Sequence, residues 1–173
     1  MPLWMRNHRI RNLAVFAMAA LAGSLWTAGS ASAATPPCSP PGGCFFQNLY
    51  SSGGNHGLYA VGQGHNQDIL SNWTGAGTGG NIWPFTGKSG NWGIIQNQSG
   101  GAVQGECWNT NGSAISLDSC PSGDTNEYFE FVLDGNYWLI KSYRTGAYVA
   151  ADRSGQPIYF TTGVNDTSLW STS

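Results

Sequence analysis

The chain says the same thing three times, and that repetition limits its possible folds more than any other feature. Phe45-Phe46-Gln47-Asn48, Ile94-Ile95-Gln96-Asn97 and Leu139-Ile140-Lys141-Ser142 open three similar segments, 49 and 45 residues apart. Each segment closes with an aromatic residue in a short apolar run, at Trp83, Phe129 and Trp170. Two anchors recurring in one order mark a structural repeat, in which a unit too small to bury its own apolar face packs on its neighbours.

Inside each segment the pattern is strand, turn, strand. Runs such as Ala147-Tyr148-Val149-Ala150 and Ile158-Tyr159-Phe160-Thr161-Thr162 are short, β-branched or aromatic, and bounded by Gly, Asn, Ser or Pro. Beyond the first 33 residues no stretch keeps the apolar period of a helix. In the second repeat, strands are expected over 94–97, 102–106, 114–118 and 128–132. Four strands per repeat make about twelve. A propeller of four-stranded blades needs at least about four blades, and a solenoid needs capping repeats. A barrel with pseudo-threefold symmetry, capped by hairpins, uses all twelve strands. The expected fold is therefore all-β, a β-trefoil of three four-stranded repeats, with Trp83, Phe129 and Trp170 packed in its core.

The opening residues read as a separate element. Arg6, Arg9 and Arg11 precede an apolar run over 13–25, and Ala31-Ser32-Ala33 offers the small-residue pattern of a cleavage site. This is the layout of a secretory leader. Gly23, Ser24 and Thr27 interrupt the run before it reaches the length of a membrane span. The organisation is thus a signal peptide over 1–33, a Pro/Gly-rich segment over 34–44 and a trefoil domain over 45–173, with the mature protein secreted and extracellular.

Cleavage leaves Lys88, Lys141, Arg144 and Arg153 as the four cations against nine carboxylates, a net charge of −5. No basic patch is available to neutralise phosphates, so nucleic acid and anionic membranes are poor partners. Charged residues make up 9% of the chain, and its 25 glycines and many Asn, Ser and Thr leave a polar, mostly uncharged surface. Such a surface suits partners that hydrogen-bond without charge, neutral glycans among them. Cys38, Cys44, Cys107 and Cys120 in an exported chain imply two disulfides. Three pairings are possible; joining sequence neighbours would close two short loops.

The three closing segments, Asn81-Ile82-Trp83-Pro84-Phe85, Glu127-Tyr128-Phe129-Glu130-Phe131 and Ser168-Leu169-Trp170, resemble the Gln-x-Trp-x-Phe motif of ricin B-type lectin domains, here of a secreted bacterial type. Ile115-Ser116-Leu117-Asp118-Ser119-Cys120 also looks like that family's third strand, although the glutamine is absent from every repeat and Cys107 lies later than the family pattern places its partner. The resemblance implies a sugar site in each repeat: an acid on the second strand, an aromatic near the end of the third, and an Asn before the closing motif. Counted from the repeat starts, the acid's position holds Ala60, Gln104 and Val149, and the aromatic's position holds Ser71, Asp118 and Thr161. Repeat two keeps the most polar set. There Gln104 is a neutral acceptor, Asp118 the carboxylate and Asn126 the polar contact, while Trp108, expected between the second and third strands, supplies the stacking platform.

Elsewhere the signals are weaker. Repeat one carries an insertion over 50–56 and a Gly-rich run over 75–80, with His56, His65, Asp68 and Trp73 nearby. The spacing of the two histidines fits no metal motif, so they read as solvated loop residues. In repeat three, Tyr148, Val149, Tyr159 and Phe160 form an apolar face, either buried or a protein contact. No nucleophile elbow, phosphate loop, dinucleotide fingerprint or metal motif is found, and Glu127 and Glu130 fall on opposite faces of a strand. The chain is expected to be non-catalytic, with no cofactor and no metal. Its expected function is carbohydrate binding through degenerate sites. The rival reading is a trefoil that binds a protein partner, such as a protease inhibitor.

Overall fold

The computed structural model describes residues 38, 40–52, 55–73, 81–89, 91–99, 104–111, 113–120 and 125–173, with side chains at 51, 52, 55, 56, 89 and 111 left aside. All belong to one unit, Ala31–Ser173. The expected leader, the Gly-rich run and the closing side of the loop over 121–124 lie outside the described residues.

Repeat one supplies β1 (Phe46–Asn48), β2 (Ser51–Ser52), β3 (Asn55–His56), β4 (Tyr59–Val61), β5 (Leu70–Asn72) and β6 (Phe85–Ser89). Repeat two supplies β7 (Trp92–Ile95), β8 (Cys107–Asn111), β9 (Ala114–Asp118), a 3-10 turn at Thr125–Glu127 and β10 (Phe129–Asp134). Repeat three supplies β11 (Tyr137–Ser142), β12 (Tyr148–Ala150), β13 (Tyr159–Thr161) and β14 (Trp170–Thr172). The expected four strands per repeat are present, and the insertion in repeat one forms an additional hairpin, β2–β3.

Antiparallel pairing joins β6 to β7, β7 to β10, β10 to β11, β11 to β14 and β14 to β1. The ring closes where Cys44, just before β1, bridges Trp83, just before β6, with Cys44 N–H donating to Trp83 O at 3.3 Å and Trp83 N–H to Cys44 O at 2.8 Å. This bridge has two counterparts, Gly93 with Phe129 and Trp138 with Trp170. Hairpins β4–β5, β8–β9 and β12–β13 cap one end. They meet through Ile69, Ile115 and Ile158, all fully buried, with Ile158 N–H donating to Ile69 O and Ile69 N–H to Ile115 O. A six-stranded barrel with three capping hairpins is a β-trefoil.

Each repeat is punctuated the same way. Asn48 and Ser142 end the first barrel strand of their repeats, Asn97 lies two residues past the end of β7, and all three are buried; their side-chain oxygens accept the N–H of Tyr50, Ser99 and Thr145. Gly57, Gly105 and Gly146 then take φ of 73°, 90° and 68° and turn the chain into the cap. Only glycine adopts this left-handed backbone without steric cost. The closing aromatics Trp83, Phe129 and Trp170 are fully buried, and the two indoles donate to Ala60 O at 3.0 Å and Val149 O at 2.9 Å.

Both disulfides pair sequence neighbours, Cys38–Cys44 and Cys107–Cys120. The second strand of repeat two departs from expectation: it runs Cys107–Asn111 rather than over 102–106. The connection from β7 is longer than that from β11 to β12, so a fixed offset from the repeat start falls short of the strand.

Candidate functional site

The shift in β8 rearranges the expected sugar site. Ladder register makes Trp108 opposite Leu117 equivalent to Ala60 opposite Ser71 and Val149 opposite Phe160. All three second-strand residues face the core, and Trp108 is fully buried. Its ring packs edge-on against Phe46, Trp83 and Phe129 at 5.6, 5.4 and 5.8 Å. Trp108 therefore cannot stack on a sugar. Instead it fills the volume left where repeat two closes with Phe129 and repeats one and three close with tryptophan, over the smaller Ala60 and Val149.

Gln104 also moves out of the expected set. It is exposed in the turn before Gly105 and lines a groove of about 260 Å³ with Pro40, Pro41, Pro84, Gln96 and Gln98. Asp118, Trp108 and Asn126 are not among the residues of that groove. The third-strand positions need a similar adjustment. Asp118 and Thr161 are true equivalents, opposite Cys107 and Tyr148, but their counterpart in repeat one is Asn72, and Ser71 is buried beneath it.

What remains is a polar face on the outer side of β8–β9. Alternation turns Trp108, Thr110, Ile115 and Leu117 inward and Asn109 and Asp118 outward. Asn109 Nδ2 donates to Glu127 Oε1 at 3.2 Å, tying the strand to the 3-10 turn. Glu127 is 2% exposed, and the adjacent Asn126 accepts a hydrogen bond from Arg144. Asp118 is half-buried and accepts the N–H of Ser119 at 2.6 Å. The equivalents of Asn109 are Val61 and Ala150, both buried and apolar. Among the described residues, repeat two alone carries a carboxylate and an amide, Asp118 and Asn109, on this face of the cap hairpin.

Asn109 and Glu127 were not expected at the site. The signal that finds Asn109 is the glycine register: Gly57-Leu58-Tyr59-Ala60-Val61, Gly105-Glu106-Cys107-Trp108-Asn109 and Gly146-Ala147-Tyr148-Val149-Ala150 align without gaps.

Other expected features fall apart from this face. His65 is half exposed, with Nδ1 2.7 Å from Glu106 Oε1, so it has a partner in the next repeat. Asp68 bridges Ser116 through backbone, and Trp73 packs partly on the core. The side chain of His56 is outside the described set. Among the described residues no group of three or more His, Cys, Asp or Glu is placed to hold a metal ion, and no helix is long and apolar enough to cross a membrane. In repeat three, Val149 is buried and Phe160 packs on the core, while Tyr148 and Tyr159 stay half-buried.

No protein-family model matches the chain, and no curated protein matches its sequence. Solved structures do share the fold. A designed threefold-symmetric protein, ThreeFoil, superimposes with a TM-score of 0.62 at 11% identity, covering 75% of this chain and 96% of that one. A lectin from Polyporus squamosus gives 0.57 at 18% identity, covering 76% of this chain and 48% of that longer one. The lectin SeviL gives 0.56 at 15% identity, covering 76% and 96%. At these identities the likeness shows the fold alone, a β-trefoil.

Proposed function

We propose that the protein is an exported, non-catalytic carbohydrate-binding trefoil of the ricin B-like type, acting as the mature chain 34–173 after removal of a signal peptide over 1–33. The observation that carries the reading is the outward face of β8–β9, where Asn109 stands in place of the buried, apolar Val61 and Ala150 of the other repeats and shares its face with Asp118, while Asn126 lies in the adjoining 3-10 turn. A sugar's adjacent hydroxyls need a carboxylate and amide groups held at fixed positions, and Glu127 fixes Asn109 from behind. The Polyporus lectin was solved with the trisaccharide Neu5Acα2-6Galβ1-4GlcNAc and SeviL with the asialo-GM1 saccharide, which makes glycans the first ligand class to test. The two disulfides suit an oxidising, extracellular setting. The net negative charge is unfavourable for nucleic acid.

The test is a glycan array with the secreted mature protein and its Asp118→Ala variant. Binding to a sugar class, weakened about tenfold or more in Asp118→Ala, supports the reading, since a charged hydrogen-bond acceptor contributes about 1.5–3 kcal/mol. Silence of the wild type across the array sinks it and turns the search to a protein partner.

A further inference from the structure

The barrel carries a second kind of surface next to the polar face. Trp92, Glu130 and Lys141 lie side by side across β7, β10 and β11. Lys141 Nζ sits 5.9 Å above the Trp92 ring. Tyr143, 50% exposed, meets Trp92 edge-on at 5.0 Å and Tyr128 at 6.3 Å. Three aromatic rings at the protein surface, interleaved with a cation and a carboxylate, are not needed by the core described above.

Pseudo-symmetry shows that this trio of rings is found at one of the three seams. The positions of Trp92, Tyr128 and Tyr143 hold Tyr137, Leu169 and Leu49 between repeats three and one, and Gly43, Ile82 and Gln98 between repeats one and two, where Pro84 and Gln96 take the places of Glu130 and Lys141. There the disulfide-clipped segment lies against them: Pro40 and Pro41 line the groove, and Gln98 donates to Pro41 O. Between repeats two and three, no described segment plays that part. The aromatic face is also continuous with the polar cluster, because Arg144 follows Tyr143 and donates to Asn126, two residues before Tyr128.

We infer that the Trp92–Tyr128–Tyr143 face is a second subsite, which stacks a pyranose ring of the same glycan whose neighbouring unit is held by Asn109, Asp118 and Asn126; the inference rests on the carbohydrate-binding reading above. The chemistry matches. The C–H face of a pyranose is apolar and packs on an exposed aromatic ring, while its rim of hydroxyls meets Glu130, Lys141 and Arg144. An oligosaccharide therefore gains contacts that a single sugar lacks.

The experiment uses an array of methyl pyranosides of galactose, glucose, mannose, xylose and N-acetylglucosamine together with their linear oligomers and the trisaccharide Neu5Acα2-6Galβ1-4GlcNAc. Wild type, Tyr143→Ala, Tyr143→Phe and Asp118→Ala are compared, each checked for native fluorescence. The expected result is that an oligomer binds about tenfold tighter than its methyl pyranoside, that Tyr143→Ala removes this gain, and that Tyr143→Phe keeps it. Loss of affinity in Asp118→Ala with an unchanged length dependence in Tyr143→Ala overturns the second subsite and leaves the proposed function standing. Loss in Tyr143→Ala with none in Asp118→Ala keeps the aromatic subsite and removes the polar one. A wild type that binds nothing on the array overturns both.

Discussion

At the scale of single residues, Trp108 shows how an aromatic in a polar neighbourhood is misread. Sequence places it among Asn, Cys, Glu and Thr, all signs of a surface, yet register turns it into the barrel. Among the described residues its indole Nε1 has no hydrogen-bond partner, so Trp108→Phe loses volume but none of the described bonds. We expect Trp108→Ala to destabilise the protein by about 3–5 kcal/mol and Trp108→Phe by clearly less, measured by urea unfolding. Equal costs would mean that the indole is not filling the core. The anchors Phe46, Ile95 and Ile140, and the buried caps Asn48, Asn97 and Ser142, were legible because they sit at constant spacing before the variable loops. Asn109 was not, because the connections that precede β4, β8 and β12 differ in length, and only the left-handed glycines 57, 105 and 146 restore the count.

Among the elements, the two disulfides close loops of unequal size. Cys107–Cys120 spans 13 residues and encloses the whole β8–β9 hairpin, whereas Cys38–Cys44 spans 6. Loop-closure entropy assigns about 3 kcal/mol to the first and about 2 kcal/mol to the second. Replacing Cys107 and Cys120 by serine should therefore lower the unfolding midpoint more than replacing Cys38 and Cys44, as differential scanning calorimetry of the two double variants would show. The reverse order would mean that the clip contributes chiefly through the Cys44–Trp83 bridge that completes the barrel. Strands β9 and β10 were legible to within a residue or two, since Ile115-Ser116-Leu117 and Phe129-Glu130-Phe131 alternate cleanly. The pairing of cysteines was open in sequence and is decided by hairpin geometry, which sets Cys107 opposite Asp118, two residues before Cys120.

For the whole molecule, no repeat closes on its own. Strand β14 is held between β1 and β11, and the Phe45 N–H donates to Ser173 O at 2.8 Å while Ser173 N–H returns to Phe45 O at 3.2 Å. Such sharing predicts one cooperative transition, with backbone circular dichroism and tryptophan fluorescence superimposing during urea unfolding; separated midpoints would show that a repeat melts alone. The threefold plan was readable from sequence, because repetition survives drift in individual residues, but the one repeat that differs chemically was readable only in outline. The aromatic core has a further consequence. Trp83 from the end of repeat one and Trp108 from the cap of repeat two come to 5.4 Å at 74° only when those repeats are assembled. Two strong transition dipoles so close, on rings so steeply inclined, share their excitation and split into bands of opposite optical rotation. The assembled barrel thus carries its own chiral signature in the far ultraviolet, one that reports the meeting of two repeats rather than the content of any strand.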